Sequence, residues 1–191
     1  MRNIVEALYA ERANPVMSTL ALESITLLAK SLPAVVADPS DVQNRSAVLH
    51  GAFLAGMTVA ATGIALQHKL AHTVAGCCKL PHADTHAILL PHTISYNIGA
   101  LADSTVERLG VALCGRSGLS SSEIVAALGM LLRGLEVRCA LKDLGMGESD
   151  IERTTDVAME KPYWNPRKLE REKIKEIIRR AWAGEMPKAD L

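Results

Sequence analysis

LQHKLAHTVAGCCKLPHADTHAILLPH, residues 66–92, holds five of the chain's six histidines and decides how the rest is read. His68 and His72 stand four positions apart, and so do His82 and His86. A helix turns every 3.6 residues, so each pair is predicted to share one helix face. Gly76 is a candidate C-cap for the first helix, Lys79, Leu80 and Pro81 read as a connection, and His82 opens a second helical stretch reaching Tyr96, with Pro91 expected to end or kink it. The histidines thus flank a turn between helices. Two imidazoles at i and i+4 can present nitrogens to one point, as a divalent metal or a proton relay requires. Beside that stands a structural reading, in which such rings cap carbonyls or settle against helix dipoles. His50, far from the group, fits the structural reading.

Outward from this stretch the pattern stays helical. Ile4, Val5, Leu8 and Tyr9 fall at helical spacing in a first segment, 1–12, with no capping residue before it, as if the sequence opened inside an element. Asn14-Pro15 predicts an N-cap followed by proline at the first helical position, and a helix to about Lys30 that Pro33, Asp38 and Pro39 close. Ser40 or Asp41 caps a segment reaching Gly63, after which 64–75 continues as a helix. Further helices are expected at 103–115, at 124–145 behind a Ser120–Glu123 capping box, at 148–160 and at 169–183. No alternating strand pattern of useful length occurs, and no glycine-rich strand-to-helix turn that would bind a dinucleotide. The expected fold is all-α, a helical bundle in one domain spanning 1–191.

Composition narrows the function. Apolar residues make up 49% of the chain and aromatics 3%, which suits close helix packing better than a sheet. Twenty-one basic residues balance twenty-one acidic ones, so no net field draws nucleic acid, which is not expected as a partner. Cys77, Cys78, Cys114 and Cys139 form no disulfide framework and read as reduced thiols. Consecutive side chains point apart, so Cys77 and Cys78 read as small buried hydrophobes rather than ligands. The charged opening residues carry no secretory signal, and the apolar run 52–66 is short for a membrane span, so a soluble cytoplasmic protein with no membrane partner is expected. Asp84 could orient an imidazole, but first of all it adds a favourable charge to a helix's first turn.

LQHKLAHTVAG and LPHADTHAILLPH, followed by Tyr96-Asn97, resemble the signature of maleylacetate reductases within the iron-containing alcohol dehydrogenase superfamily. VEALYA at 5–10, ANPV at 13–16, DLGM at 143–146, YWNPR at 163–167 and AWAG at 181–184 resemble the same family in the same order. The resemblance implies a two-domain, homodimeric enzyme of dehydroquinate synthase-like fold, of which this sequence is similar to the helical C-terminal domain, with the nucleotide-binding N-terminal domain not included. It implies reduction of maleylacetate, a small dicarboxylate, to 3-oxoadipate by NADH or NADPH, in the breakdown of aromatic compounds. It gives His68 and His82, fourteen positions apart, as metal-equivalent positions for Fe²⁺ or Zn²⁺, and His72 as the histidine of the proton path. His68, His72 and His82 are then the expected catalytic set. Arg45 and Arg167 are candidate substrate contacts that could equally close loops.

The sequence also departs from the superfamily. Asn3 stands where the upstream ligand pair expects a histidine, and the matching carboxylate position precedes Met1. A four-ligand site is therefore not expected from this polypeptide, which weighs against metal-dependent alcohol dehydrogenase chemistry more than against maleylacetate reduction, generally regarded as metal-free. The chain alone is expected to be inactive and to need a partner nucleotide-binding domain. The alternatives are a metal-dependent alcohol dehydrogenase of the same superfamily, and a truncated helical module that packs without catalysing anything.

Overall fold

The computed structural model describes residues 2–161 and 163–191, with side chains from residue 4 onward. Met1 and the side chain of Asn3, on which one departure from the superfamily pattern rests, lie outside the described residues. The helices are α1 (Arg2–Ala7), α2 (Pro15–Ala37), α3 (Val42–Thr62), α4 (Leu66–Cys78), α5 (His82–Asn97), α6 (Asp103–Cys114), α7 (Ser121–Gly134), α8 (Asp150–Glu160) and α9 (Arg171–Ala183), with 3-10 turns at Ile98–Ala100 and Leu141–Leu144. No strand occurs among the described residues.

Local chemistry starts α2 and α7 where the sequence predicts. The Asn14 side chain accepts from the Met17 N–H at 3.0 Å, with Pro15 leading α2. Ser120 and Glu123 close a reciprocal capping box on α7. The ends differ more. α2 runs through Pro33 to Ala37, past the predicted stop at Lys30. Its packing on α3 outweighs the lost helix bond: Ser24 Oγ donates to Gly51 O at 2.6 Å, and a Cβ on Gly51 would meet Leu28 Cγ at 3.0 Å. Glycine at 51 is what lets these two helices approach.

Pro91 neither ends nor divides α5, which continues to Asn97. Every residue from Ile88 to Asn97 is buried, and that packing offsets a proline cost of about 3 kcal/mol. Gly76 is an interior residue of α4, and Lys79 takes the left-handed C-cap at φ 52°. α4 opens at Leu66 rather than Ile64, because Gly63, at φ 85°, turns the chain by 99° out of α3. The single helix expected over 124–145 stops at Gly134. A left-handed Glu136 (φ 56°) and irregular chain then swing Leu141 fully into the core.

Two apolar clusters form the interior, and α5 belongs to both. Leu90 and Ile94 pack with Ile4, Ile25, Leu109 and Ile124, whereas Leu89 and Tyr96 pack with Leu66, Leu70, Ile174 and Ile177. α4 lies against α5 within the second cluster, which fixes the register of the two histidine-bearing helices. All four cysteines are free thiols, half-buried rather than buried. One described helix, α2, is long and apolar enough by composition to cross a membrane, a test that core helices also pass. The outer face of α3 carries exposed Val42, Leu49, Phe53 and Met57.

Candidate active site at the junction of α4 and α5

The site begins with a carboxylate that no sequence motif singles out. Glu6 is fully buried. Its Oε1 accepts the Ala65 N–H at 3.1 Å and the Gln67 N–H at 2.7 Å, while Oε2 accepts from His68 Nδ1. Ala65 has no side chain able to cap α4, so a residue of α1 supplies the cap from 59 positions away. The same carboxylate turns the His68 ring. With Nδ1–H donating to Glu6, the lone pair sits on Nε2, on the far side of the imidazole. In the sequence Glu6 shows as a charged residue amid the apolar positions of the first segment and as the carboxylate within VEALYA.

Gln67, also fully buried, does comparable work one residue earlier. Its amide donates to His86 O at 2.9 Å, and its carbonyl accepts from Thr93 Oγ at 2.5 Å. α4 and α5 are thereby cross-linked beneath the histidines.

Above this floor four rings converge. Ring centroids lie 4.4 Å apart for His82 and His86, 5.0 Å for His72 and His82, 5.2 Å for His68 and His86, 5.6 Å for His72 and His86, and 6.3 Å for His68 and His72. His82 Nε2 is 3.4 Å from His72 Nε2 and 3.2 Å from His86 Nε2. Donor nitrogens of His72, His82 and His86 all fall within 4.8 Å of one another. His86 is buried and His68 nearly so, whereas His72 and His82 face solvent. The cluster therefore runs from the interior to the surface.

Of the expected catalytic set, His68, His72 and His82 all lie here. His86 joins them, as its spacing from His82 foreshadowed. His50 is exposed on α3 and takes no part in these ring contacts. His92 is buried elsewhere, its Nδ1 without a hydrogen-bond partner, and burial pulls its pKa down to about 4. Asp84 sits in the first turn of α5, the helix-charge placement. Cys78 contacts Thr154 and burial pushes its thiol up, a structural setting.

The two arginines are occupied with backbone. Arg45 Nη1 donates to Pro39 O at 3.0 Å. Arg167 donates to Tyr96 O at 2.9 Å and to Leu191 O, with its guanidinium 4.3 Å above the Tyr96 ring. Asn97 and Asn165 exchange amide bonds at 3.0 and 2.8 Å, so residues 163–167 are strapped across the end of α5. A hollow of about 310 Å³ opens beside this strap, lined by Tyr163, Asn165 and Arg167.

The chain is thus a helical bundle in which a group of imidazoles gathers between two helices, with a buried carboxylate behind one of them. The sequence places it in a family: residues 1–182 match the model of the Fe-containing alcohol dehydrogenase family, C-terminal, and the chain belongs to that family. Its relatives are oxidoreductases. Among them, the maleylacetate reductase of Rhizobium sp. (strain MTP-10005) is 37% identical over 187 residues, 98% of this chain and 51% of that protein. The crystal structure of maleylacetate reductase from Agrobacterium tumefaciens superposes with a TM-score of 0.89 at 37% identity, covering 97% of this chain and 51% of that one. An iron-containing alcohol dehydrogenase from Corynebacterium glutamicum superposes at 0.84 with 31% identity, over 100% of this chain and 50% of that one. The chain spans about half the length of the relatives it matches.

The family name carries iron, and the donor set can be tested against it. Of the four ligand positions expected from the resemblance, only His68 and His82 are described. The three nitrogens that approach one another belong to His72, His82 and His86, without His68. The described residues do not assemble the superfamily's four-ligand set, so no chemical step is derived through iron.

Proposed function

We propose that this chain is the histidine-bearing half of an NAD(P)H-dependent reductase for a small oxo-dicarboxylate, with maleylacetate to 3-oxoadipate as the reaction that fits best. One observation carries the reading: His68, His72, His82 and His86 converge between α4 and α5 in a chain 37% identical to a maleylacetate reductase over nearly its whole length. The reduction consumes a hydride and a proton. NADH or NADPH, when bound, supplies the hydride, and the phosphate-binding strand–turn–helix it needs belongs to a nucleotide-binding domain.

The helical half does the remaining work. Exposed His72 and His82 offer ring N–H groups to a carboxylate, and an imidazole can also give up a proton near neutral pH. His72 is the proton donor in this reading. His68, turned by Glu6, sits next to it with its Nε2 lone pair placed to accept from a neighbouring ring N–H, which leaves the second carboxylate to His82. Arg45 and Arg167 stay outside the proposal because both are committed to carbonyl oxygens. The assembled enzyme is soluble, cytoplasmic and homodimeric in this reading.

Fusing the chain to the nucleotide-binding half of the Rhizobium relative tests the idea. Maleylacetate-dependent NADH consumption is expected from the fusion and not from the chain alone. His72→Ala should lower turnover by about a hundredfold or more. A fusion that binds NADH yet never oxidises it with maleylacetate would refute the assignment, and unchanged turnover in His72→Ala would remove that residue from the proton path.

A further inference from the structure

We infer that Lys69 and Tyr163, with Lys161 at the rim, form the subsite for the substrate carboxylate remote from His82 and so select a dicarboxylate, an inference that rests on the reductase reading above. Two hollows meet at the end of α8. One, of about 260 Å³, is lined by Lys69, Thr73, Glu160, Lys161 and Tyr163. The other, of about 310 Å³, lies beside the strap and shares Lys161 and Tyr163 with the first. Lys69 stands three positions before His72, so the two side chains leave one flank of α4. Tyr163 stands close enough to Glu6, the carboxylate that turns His68, to feel its charge. The first hollow therefore adjoins the histidines.

The lining has the chemistry of an anion site. Lys69 Nζ lies 6.0 Å from the Tyr163 ring centroid, where the ring face attracts the ammonium without covering its hydrogens. Burial first, and then the Glu6 charge, push the Tyr163 phenol up, so it remains an O–H donor around neutral pH. The lysine ion pairs among the described residues are made by Lys173 and Lys175, which leaves Lys69, Lys161 and Lys168 outside them. Glu160 is the one acidic residue among those lining either hollow, against Lys69, Lys161, Arg167 and Lys168. The local field therefore favours an anion. An ammonium and a phenol that border one space can each donate to a carboxylate, and the charged donor gives the stronger bond. The imidazoles by themselves do not account for two carboxylates, since His72 gives the proton and His82 holds one of them. A cation one helical turn from His72 supplies the missing partner.

Two measurements test this, one on the fusion described above and one on the 191-residue chain itself, with folding of each variant checked by helical circular dichroism. In the fusion, Lys69→Met and Tyr163→Phe should each raise the KM for maleylacetate about tenfold or more while kcat falls far less, because the carboxylate is held alike in the ground and transition states. Of the two monomethyl esters of maleylacetate, the one esterified at this end should react alike with wild type and variants. Lys142→Met, which removes a comparable lysine 5.7 Å from the Trp182 ring, should leave the KM as it is. In the chain alone, adipate should shift the ¹³C-labelled ring resonances of Tyr163, dimethyl adipate should not, and Lys69→Met should abolish the shift. An unchanged KM in both variants overturns the proposal, and so does a Tyr163 ring that adipate leaves unmoved. A fusion inert toward maleylacetate refutes the reaction instead, and the adipate titration then decides the subsite by itself.

Discussion

Glu6→Gln is the substitution that separates most cleanly what the buried carboxylate does for the backbone from what it does for the site. A glutamine keeps one oxygen, which can still accept the Ala65 and Gln67 N–H groups. Its amide nitrogen, however, must face His68 Nδ1, and two N–H groups cannot bond to each other. The ring is therefore expected to move its hydrogen to Nε2 and accept at Nδ1, reversing the face His68 presents to the other histidines. The energetic cost is the exchange of a charge-assisted bond for a neutral one, about 2 kcal/mol. Glu6→Ala should cost at least about 4 kcal/mol, because two buried backbone donors lose their acceptor as well. Urea unfolding followed by helical dichroism reads the stabilities, and long-range ¹⁵N spectra of the histidine rings read the tautomer. If Glu6→Ala unfolds at the wild-type midpoint, or if His68 keeps its hydrogen on Nδ1 in Glu6→Gln, the assignment of Glu6 fails.

Other outcomes follow from single contacts. His92 has a folded pKa of about 4 against an ordinary 6.5, so the unfolded chain binds its proton first. Its contribution is complete above about pH 6.5 and falls by about 3 kcal/mol as the pH drops to about 4; wild type should lose that much more stability than His92→Gln over this window in denaturant titrations. Gly184 ends α9 at φ 73°, and a Cβ there would stand only 2.9 Å from Ala140 Cβ, so Gly184→Ala should destabilise by about 2 kcal/mol in the same assay. Ser120→Ala removes one half of the capping box on α7 and should cost about 1 kcal/mol, visible as a lower thermal midpoint.

The helices and their starts are legible in the sequence because they rest on local chemistry: Asn14 before Pro15, Ser120 before Glu123, and the i, i+4 histidine pairs. The ends of α2, α4 and α7 are not, because they depend on what a distant segment offers. α2 passes Pro33 since Gly51 admits α3, and α5 passes Pro91 since its surroundings are buried on every side. The converging histidines can be read from spacing, yet which three approach most closely depends on how α4 packs against α5. Glu6 is hidden for the same reason. Its partners are about sixty residues away, and no periodicity in 1–12 announces a carboxylate that must point inward.

The bond between Glu6 and α4 also bears on the order of assembly. The α4–α5 hairpin joins His72 and His82, only ten positions apart along the chain, and can gather early. The start of α4 and the orientation of His68 wait on a loop of 62 residues being closed, an entropy cost of about 4 kcal/mol before any contact repays it. His68 is therefore among the last parts of the molecule to reach its native geometry, and its imidazole is a natural reporter in a refolding experiment: a label read there registers completion, where one on His82 registers only the hairpin.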